Sequence, residues 1–344
     1  MSKLVPVSEE NIDFVLNFVN TKVEKIGTVL PVDKKTFYDY FLGGKTFVVS
    51  GKEGIESVFS ISKFGGKGVP VLWVRICAAS KVALENALTF IKQVALTMES
   101  LYIRTATFSY AEECEWLEEA GFTRGAVIPK AACLKGKLYD LLYYYYDLRS
   151  LYSFNVERKY VDENLYSLKP VEKRKADVVV RGLRISDLGE LEWISNHPNV
   201  FTTMGSGYYE GLIWWNRQRI IELITAGKLF SLVAQNAIDG KIIGTISLEP
   251  RARRPIGDVL SNVYSMGIIV AAEYQGMGVG TKLIEEMLVL AKRMHARIIT
   301  LEVFETNTNA VKLYEKFGFV KAGRLPLWLQ KGYVWSYMMY KMLS

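Results

Sequence analysis

Apolar and β-branched runs alternate with amphipathic stretches along this chain, and one arrangement of them occurs twice. Ile298-Ile-Thr-Leu-Glu-Val303 predicts a buried strand from its β-branched, apolar content. Asn307-Thr-Asn follows and leads into a helical stretch from Ala310 to Phe317, stopped by Gly318-Phe319. The first half has the same order: a strand from Leu101 to Ala106, a helical stretch from Ala111 to Ala120, then Gly121-Phe122. In both, the glycine suits a left-handed helix C-cap, and the phenylalanine after it can fold back on the helix. Lys135-Gly136 and Lys331-Gly332 predict turns, each followed by an aromatic-rich strand, Tyr139–Tyr146 and Tyr333–Met342. A repeat of this length means two copies of one fold, because solenoid units run to only ~20–50 residues.

The copies are joined by Asp147 to Ala176, a polar stretch that includes Lys169-Pro170 and the basic Lys173-Arg174-Lys175. In the second copy a strand is expected at Val178–Ile185, then a capping-box-like helix start at Ser186-Asp-Leu-Gly-Glu190. A further helix spans about Tyr209 to Ala226, before strands at Leu229–Gln235 and Lys241–Glu249 that turn at Asp239-Gly240. A strand at Tyr264–Val270 and a helix from Thr281 to about Ala296 complete the pattern. The order β-α-α-β-β-β-α-β-α-β is α+β with one βαβ crossover. We therefore expect domains at 1–150 and 177–344, with a linker at 151–176.

The length of 344 residues agrees with two domains of ~150 residues. Half the residues are apolar and 23% are charged, which excludes a largely disordered chain. No run reaches the ~18 continuous apolar residues of a membrane span. Glu9 and Glu10 come before any signal-peptide core could form, so a cytoplasmic protein with no membrane partner is expected. The net charge of +7 is mild for this length, and no long basic run accompanies it, which disfavours nucleic acid as a partner. Arg251, Arg253 and Arg254 form a basic knot between two strands, read most simply as a solvated loop and otherwise as an anion contact. Cys77, Cys114, Cys133, His197 and His295 lack metal-ligand spacing; no metal is expected, and the thiols read as buried and inert.

The segment Gln275-Gly276-Met277-Gly278-Val279-Gly280-Thr281 lies between a predicted strand and a predicted helix. Alternate glycines let successive backbone N–H groups turn into one concavity, and the helix N-terminus adds unpaired donors and a positive dipole end. Such a loop is a seat for a pyrophosphate. Its spacing is not the dinucleotide G-x-G-x-x-G, and no Walker-type lysine follows. Asn307, Ala310, Leu313-Tyr314 and Gly318-Phe319 then come in order. Over Tyr264 to Phe319 the chain thus resembles the GCN5-related N-acetyltransferase (GNAT) superfamily, whose pattern is Gln/Arg-x-x-Gly-x-Gly/Ala, then Asn, Ala and Leu-Tyr before Gly-Phe. The element order extends the likeness to Val178–Ser344. The resemblance implies two tandem GNAT-like domains, each a twisted mixed β-sheet flanked by helices with a central βαβ crossover. It implies acetyl-CoA as co-substrate, with its pyrophosphate on Gln275–Thr281. The pantetheine would run along Ile268, Ile269 and Val270, where that strand splays from Ile298–Val303, and Asn307 would touch it from the far side.

Acetyl transfer to an amine needs a neutral acceptor, a stabilised oxyanion and a proton for the departing thiolate. Holding both substrates together removes the need for a covalent enzyme intermediate. By the resemblance Tyr314 is the acid, and its phenol, near pKa 10, suits that role. Glu302 matches the base position of the ribosomal-protein N-terminal acetyltransferases; Glu305 and Glu249 are weaker candidates. A packing tyrosine and an ordinary strand carboxylate are the plain alternatives. By the same resemblance Tyr208, Tyr209, Trp214 and Trp215 lie near the acceptor cleft, as do Trp328, Tyr333 and Trp335, while Ser336 stands where the family often has an acidic residue. Aligning Gly121-Phe122 on Gly318-Phe319 sets Thr105, Tyr110 and Leu117 against Glu302, Asn307 and Tyr314. The strand Val71–Ile76 runs through Cys77-Ala-Ala-Ser80 into a helix without a glycine loop. The first copy is therefore expected to be degenerate, structural or acceptor-shaping, and without a coenzyme seat. The expected activity is transfer of the acetyl group of acetyl-CoA to a primary amine, small or on a peptide or protein. It would proceed by direct attack in a ternary complex at one site in the second domain. A non-catalytic acyl-CoA-binding regulatory protein is the alternative.

Overall fold

The computed structural model describes residues 2–26, 31–35, 37, 45–63, 71–152, 171–201, 217–251, 258–329 and 332–343. In the first half, β1 (Lys3–Pro6), α1 (Ile12–Asn20), β2 (Lys45–Gly51), β3 (Gly54–Lys63) and β4 (Val71–Ala78) precede α2 (Lys81–Thr97). Then come β5 (Tyr102–Phe108), α3 (Glu113–Glu119), β6 (Thr123–Leu134) and β7 (Lys137–Asp147). The second half runs β8 (Val178–Gly182), α4 (Leu188–Asn196), α5 (Arg217–Thr225), β9 (Phe230–Asn236), β10 (Ile242–Pro250) and β11 (Val263–Val270). It ends with α6 (Val279–Arg293), β12 (Ile298–Phe304), α7 (Thr308–Lys316), β13 (Val320–Leu329) and β14 (Gly332–Met342).

The fourteen strands among the described residues join in one sheet of order β1-β2-β3-β4-β5-β7-β6-β13-β14-β12-β11-β10-β9-β8, which repeats the same topology from either edge. Each half contains one parallel pair. In both, pairing covers only the strand starts: Val71–Trp73 with Tyr102–Arg104, and Val263–Ser265 with Ile298–Thr300. Beyond Ser265, β11 and β12 part, leaving Met266–Val270 without a partner on that side. This is the splay expected at Ile268–Val270. A parallel crossover needs an intervening helix, and α6 supplies it by burying Leu283, Ile284, Met287 and Ala291 against Ile243, Ile246 and Ile299. Each of the three larger side chains contributes about 1.5–3 kcal/mol of burial.

The halves meet at a narrow seam. β6 and β13 pair at Ala126 and Gly323. Gly323 has φ +147°, and a Cβ there would lie 2.1 Å from the Gly125 carbonyl oxygen, so only glycine allows this approach. Around the seam, Phe108, Ile128 and Tyr143 pack with Val259, Leu325 and Met338. Arg297 donates to the Ala131 carbonyl at 2.6 Å, and Tyr145 meets Trp335 edge-on at 5.5 Å between centroids.

Several expectations are corrected. The strand from Val178 stops at Gly182, and Ile185, 67% exposed, opens a 3-10 turn instead. Asp187 ends that turn, accepting from the Arg184 N–H and paired with Arg181 at 2.8 Å. The expected order also lacked β13. Its Lys321, Gly323, Arg324 and Pro326 disguise a strand that exists through its pairing with β14. Cys133 is exposed rather than buried, while Cys77 is buried. Finally, ladder register sets Ala106 opposite Tyr143 and Glu302 opposite Met338, so Glu302 corresponds to Ala106 and not Thr105.

Candidate active site

Helix α6 begins without a side-chain cap: its N-cap is Gly278, left-handed at φ +85°, preceded by Gly276 at φ +81°. The Lys282 N–H makes the bond to the Gly278 carbonyl that opens the helix. The N–H groups of Val279, Gly280 and Thr281 come before it and have no intrahelical acceptor. At Gly276 and Gly278 a Cβ would meet no atom within 4 Å, so backbone angle requires the glycines and crowding does not. Gly280 is different, since a Cβ there would approach Leu313 at 3.2 Å. Gln275 turns back and donates from Nε2 to the Val270 carbonyl at 3.1 Å, tying the loop to the end of β11.

This loop opens onto a cavity of about 1310 Å³ walled by both halves. Ile268, Ile269, Val270, Gln275, Gly276, Gly278, Gly280 and Thr281 line it, as do Asn307 and Tyr314. Met277 and Val279 are not on the wall: Met277 is 41% exposed and Val279 is buried in the core. Asn307 caps α7, its Oδ1 accepting from the Ala310 N–H at 3.3 Å. Tyr314, 7% exposed, packs edge-on against Phe319, and burial pushes its phenol well above the ordinary value.

Glu302 also lines the cavity, and its surroundings come largely from elsewhere in the chain. Arg104 of β5, 1% exposed, donates to both carboxylate oxygens at 3.0 and 3.3 Å. The buried Ser336 hydroxyl of β14 donates to the same carboxylate. Burial alone would raise the Glu302 carboxyl, but the Arg104 charge and hydrogen bonds, Ser336 and the more distant Arg251 outweigh it. The net effect holds Glu302 below the ordinary carboxylate range. Nothing in the sequence near Glu302 signals Arg104, which lies in the other half of the chain.

Arg251 is the second residue that sequence reasoning misplaced. It does not sit in a solvated loop; it turns into the cavity, with Nη1 donating to the Tyr143 hydroxyl at 2.8 Å and Nε to Thr300 Oγ1 at 3.2 Å. Glu249 lines the same cavity, and Glu305 does not. Arg253, Arg254, Tyr208, Tyr209, Trp214 and Trp215, and the side chains of Trp328 and Tyr333, lie outside the described residues.

The equivalent place in the first half is built differently. Ser80 caps α2 by accepting from the Ala83 N–H at 3.2 Å, using one of the donors that α6 leaves bare. Lys25 reaches in beside it, 2.9 Å from the Glu113 carboxylate and 4.6 Å from the Trp116 ring centroid. Burial pushes the Cys77 thiol up to about 12, so it is no nucleophile. Among the described residues, no group of three His, Cys, Asp or Glu side chains could hold a metal ion. No described helix is long and apolar enough to cross a membrane.

Residues 192–319 match the family described as Acetyltransferase (GNAT) family. That match lies wholly in the second half of the chain. The L-amino acid N-acetyltransferase AaaT of Escherichia coli is 29% identical over 148 residues, 42% of this chain and 83% of that protein. N-alpha-acetyltransferase 40 of Saccharomyces cerevisiae is 28% identical over 124 residues, 33% of this chain and 43% of its own length. Among solved structures, a putative acetyltransferase from Salmonella typhimurium with acetyl-CoA overlays with a TM-score of 0.43 at 18% identity, covering 48% of this chain and 94% of that one. Of the first four curated relatives, the chain covers two thirds or more only of the Escherichia coli protein; the others are covered over 36 to 46% of their length. The matched segment holds the bare α6 N-terminus, Glu302 and Tyr314, while Arg104 and Tyr143 reach the cavity from outside it.

Proposed function

We propose that the chain is an acetyl-CoA-dependent N-acetyltransferase with one active site, in its second half. The observation that carries this reading is the uncapped N-terminus of α6, held by two left-handed glycines and opening onto the cavity that also holds Glu302 and Tyr314. Free N–H groups and the positive helix end suit a diphosphate. The unpaired edge of β11 at Ile268–Val270 offers main-chain groups to an extended amide-bearing arm. The residues present therefore fit acetyl-CoA, which would supply the acyl group as a thioester.

Glu302, ionised at neutral pH, attracts the acceptor ammonium; the fraction that has lost one proton to solvent attacks the thioester carbon as the neutral amine, and Glu302 takes the second proton from its nitrogen. A carboxylate held below its usual range is a weak base. It suffices because the proton on nitrogen becomes far more acidic as the new bond to carbon forms. Tyr314, neutral because burial raises its phenol, donates to the departing sulfur. The first half is read as a degenerate copy without a coenzyme seat. Ser80 and the Lys25–Glu113 pair take up the places a ligand would need, and Arg104 and Tyr143 wall the acceptor side.

The relatives act on different amines, so the family likeness leaves the acceptor open. An assay of thiol release from acetyl-CoA with a panel of primary amines tests the reading. Release that depends on the amine supports it. Binding of acetyl-CoA with no amine-dependent release would make the chain an acyl-CoA-binding protein and not an enzyme.

A further inference from the structure

Resting on the N-acetyltransferase reading, we infer that the acceptor is a free α-amino acid, whose carboxylate is bound by Arg251 while its amine faces Glu302. Arg251 is a half-buried cation on the cavity wall. Among the described residues, its guanidinium meets two hydroxyls, of Tyr143 and Thr300, and the face of the Tyr143 ring at 5.9 Å, but no carboxylate. A half-buried guanidinium that bonds only hydroxyls can still take an anion, and its planar fork is suited to a carboxylate. Two of the other cations lining the cavity, which also include Arg75, differ. Arg104 is paired with Glu302, and Lys25 with Glu113.

The placement of the two charged groups suits this class of acceptor. Thr300, which anchors Arg251, and Glu302 are two residues apart on β12, so they share one face about 6.5 Å apart. In an α-amino acid the nitrogen and the carboxyl carbon are about 2.5 Å apart. A hydrogen bond of about 2.9 Å at each end gives a span of about 8 Å between a fixed anion and a fixed cation. With Arg251 bonded to Thr300, a cation and the Glu302 anion both line one cavity, and an amino-acid zwitterion would meet both. A peptide N-terminus lacks the adjacent carboxylate, and a polyamine would leave Arg251 without an anion. Tyr143 aims Arg251 from β7, which makes the first half part of acceptor selection.

The test is amine-dependent thiol release by the full chain, with alanine, phenylalanine, glutamate and lysine as free acids. Each is compared with its carboxamide, and spermidine and a short peptide with a free N-terminus are run alongside. At least one free acid is expected to exceed its carboxamide about 10- to 100-fold in kcat/KM, the range for a hydrogen-bonded charge. In Arg251→Gln that ratio collapses towards one through KM for the acid, with KM for acetyl-CoA unchanged; Tyr143→Phe moves it the same way by less. Equal turnover of acids and carboxamides by the parent overturns the inference without any variant, as does preferred use of the peptide or spermidine. A ratio that survives in a folded Arg251→Gln also overturns it. If no member of the panel releases thiol, the N-acetyltransferase reading fails, and the inference with it.

Discussion

Glu302 and Tyr314 are shifted in opposite directions for reasons that separate them experimentally. Burial raises the Tyr314 phenol and keeps it protonated, so Tyr314→Phe should slow amine-dependent thiol release about 100-fold, within the usual range for a lost acid. Release at the parent rate would show that the phenol is packing alone. For Glu302, burial opposes ionisation and Arg104 overcomes it, with Ser336 and Arg251 assisting. Removing the guanidinium in Arg104→Gln leaves burial to raise the carboxyl, so the acid limb of kcat at saturating acceptor should move to higher pH. Arg104→Lys should move it less. A limb that stays in place, in a variant that still melts cooperatively, would remove Glu302 from the proton path. The same depressed carboxyl contributes stability above the unfolded value of about 4.3, which is lost as pH falls through the folded one. Glu302→Gln should therefore melt with a flatter acid dependence. At this scale, Tyr314 and Glu302 could be singled out through the resemblance of the motif around them, and both line one cavity. Arg104 could not be, because a contact between positions 104 and 302 leaves no periodicity to find.

Two helices in equivalent places show how a few residues decide what an element offers. Helix α2 starts at Ser80, whose hydroxyl accepts from Ala83; α6 starts at Gly278 with no side-chain acceptor. Gly278→Ala places a Cβ in the left-handed region, at a cost of roughly 1–2 kcal/mol. Acetyl-CoA affinity should fall by about tenfold or more, while α6 stays folded through its buried face. Unchanged affinity on calorimetric titration would mean that this loop does not bind the coenzyme. The glycine loop was legible because alternate glycines ahead of an amphipathic helix are a local signal. Strand β13 was not, because Gly323 and Pro326 break its pattern and only its long ladder with β14 makes it a strand. Arg251 was visible as a basic residue, but its inward turn depends on Tyr143, more than a hundred positions away.

Across the whole molecule, the sequence repeat predicted two copies but not how they meet. They share one sheet, joined where Gly323 passes close to Gly125 and Ala126. Gly323→Val puts its Cβ into the Gly125 carbonyl, and overpacking of this kind costs about 1–3 kcal/mol. The melting temperature should drop by several degrees and the acceptor KM should rise, since Arg104 and Tyr143 reach Glu302 and Arg251 across that seam. An unchanged acceptor KM in a destabilised variant would show that the cavity does not need the seam. The most direct check of the account is a calorimetric titration of the full chain with acetyl-CoA. It should bind one equivalent per chain, and Gly278→Val should abolish that binding. Two equivalents, or binding that persists in the folded variant, would contradict a single diphosphate seat at the start of α6.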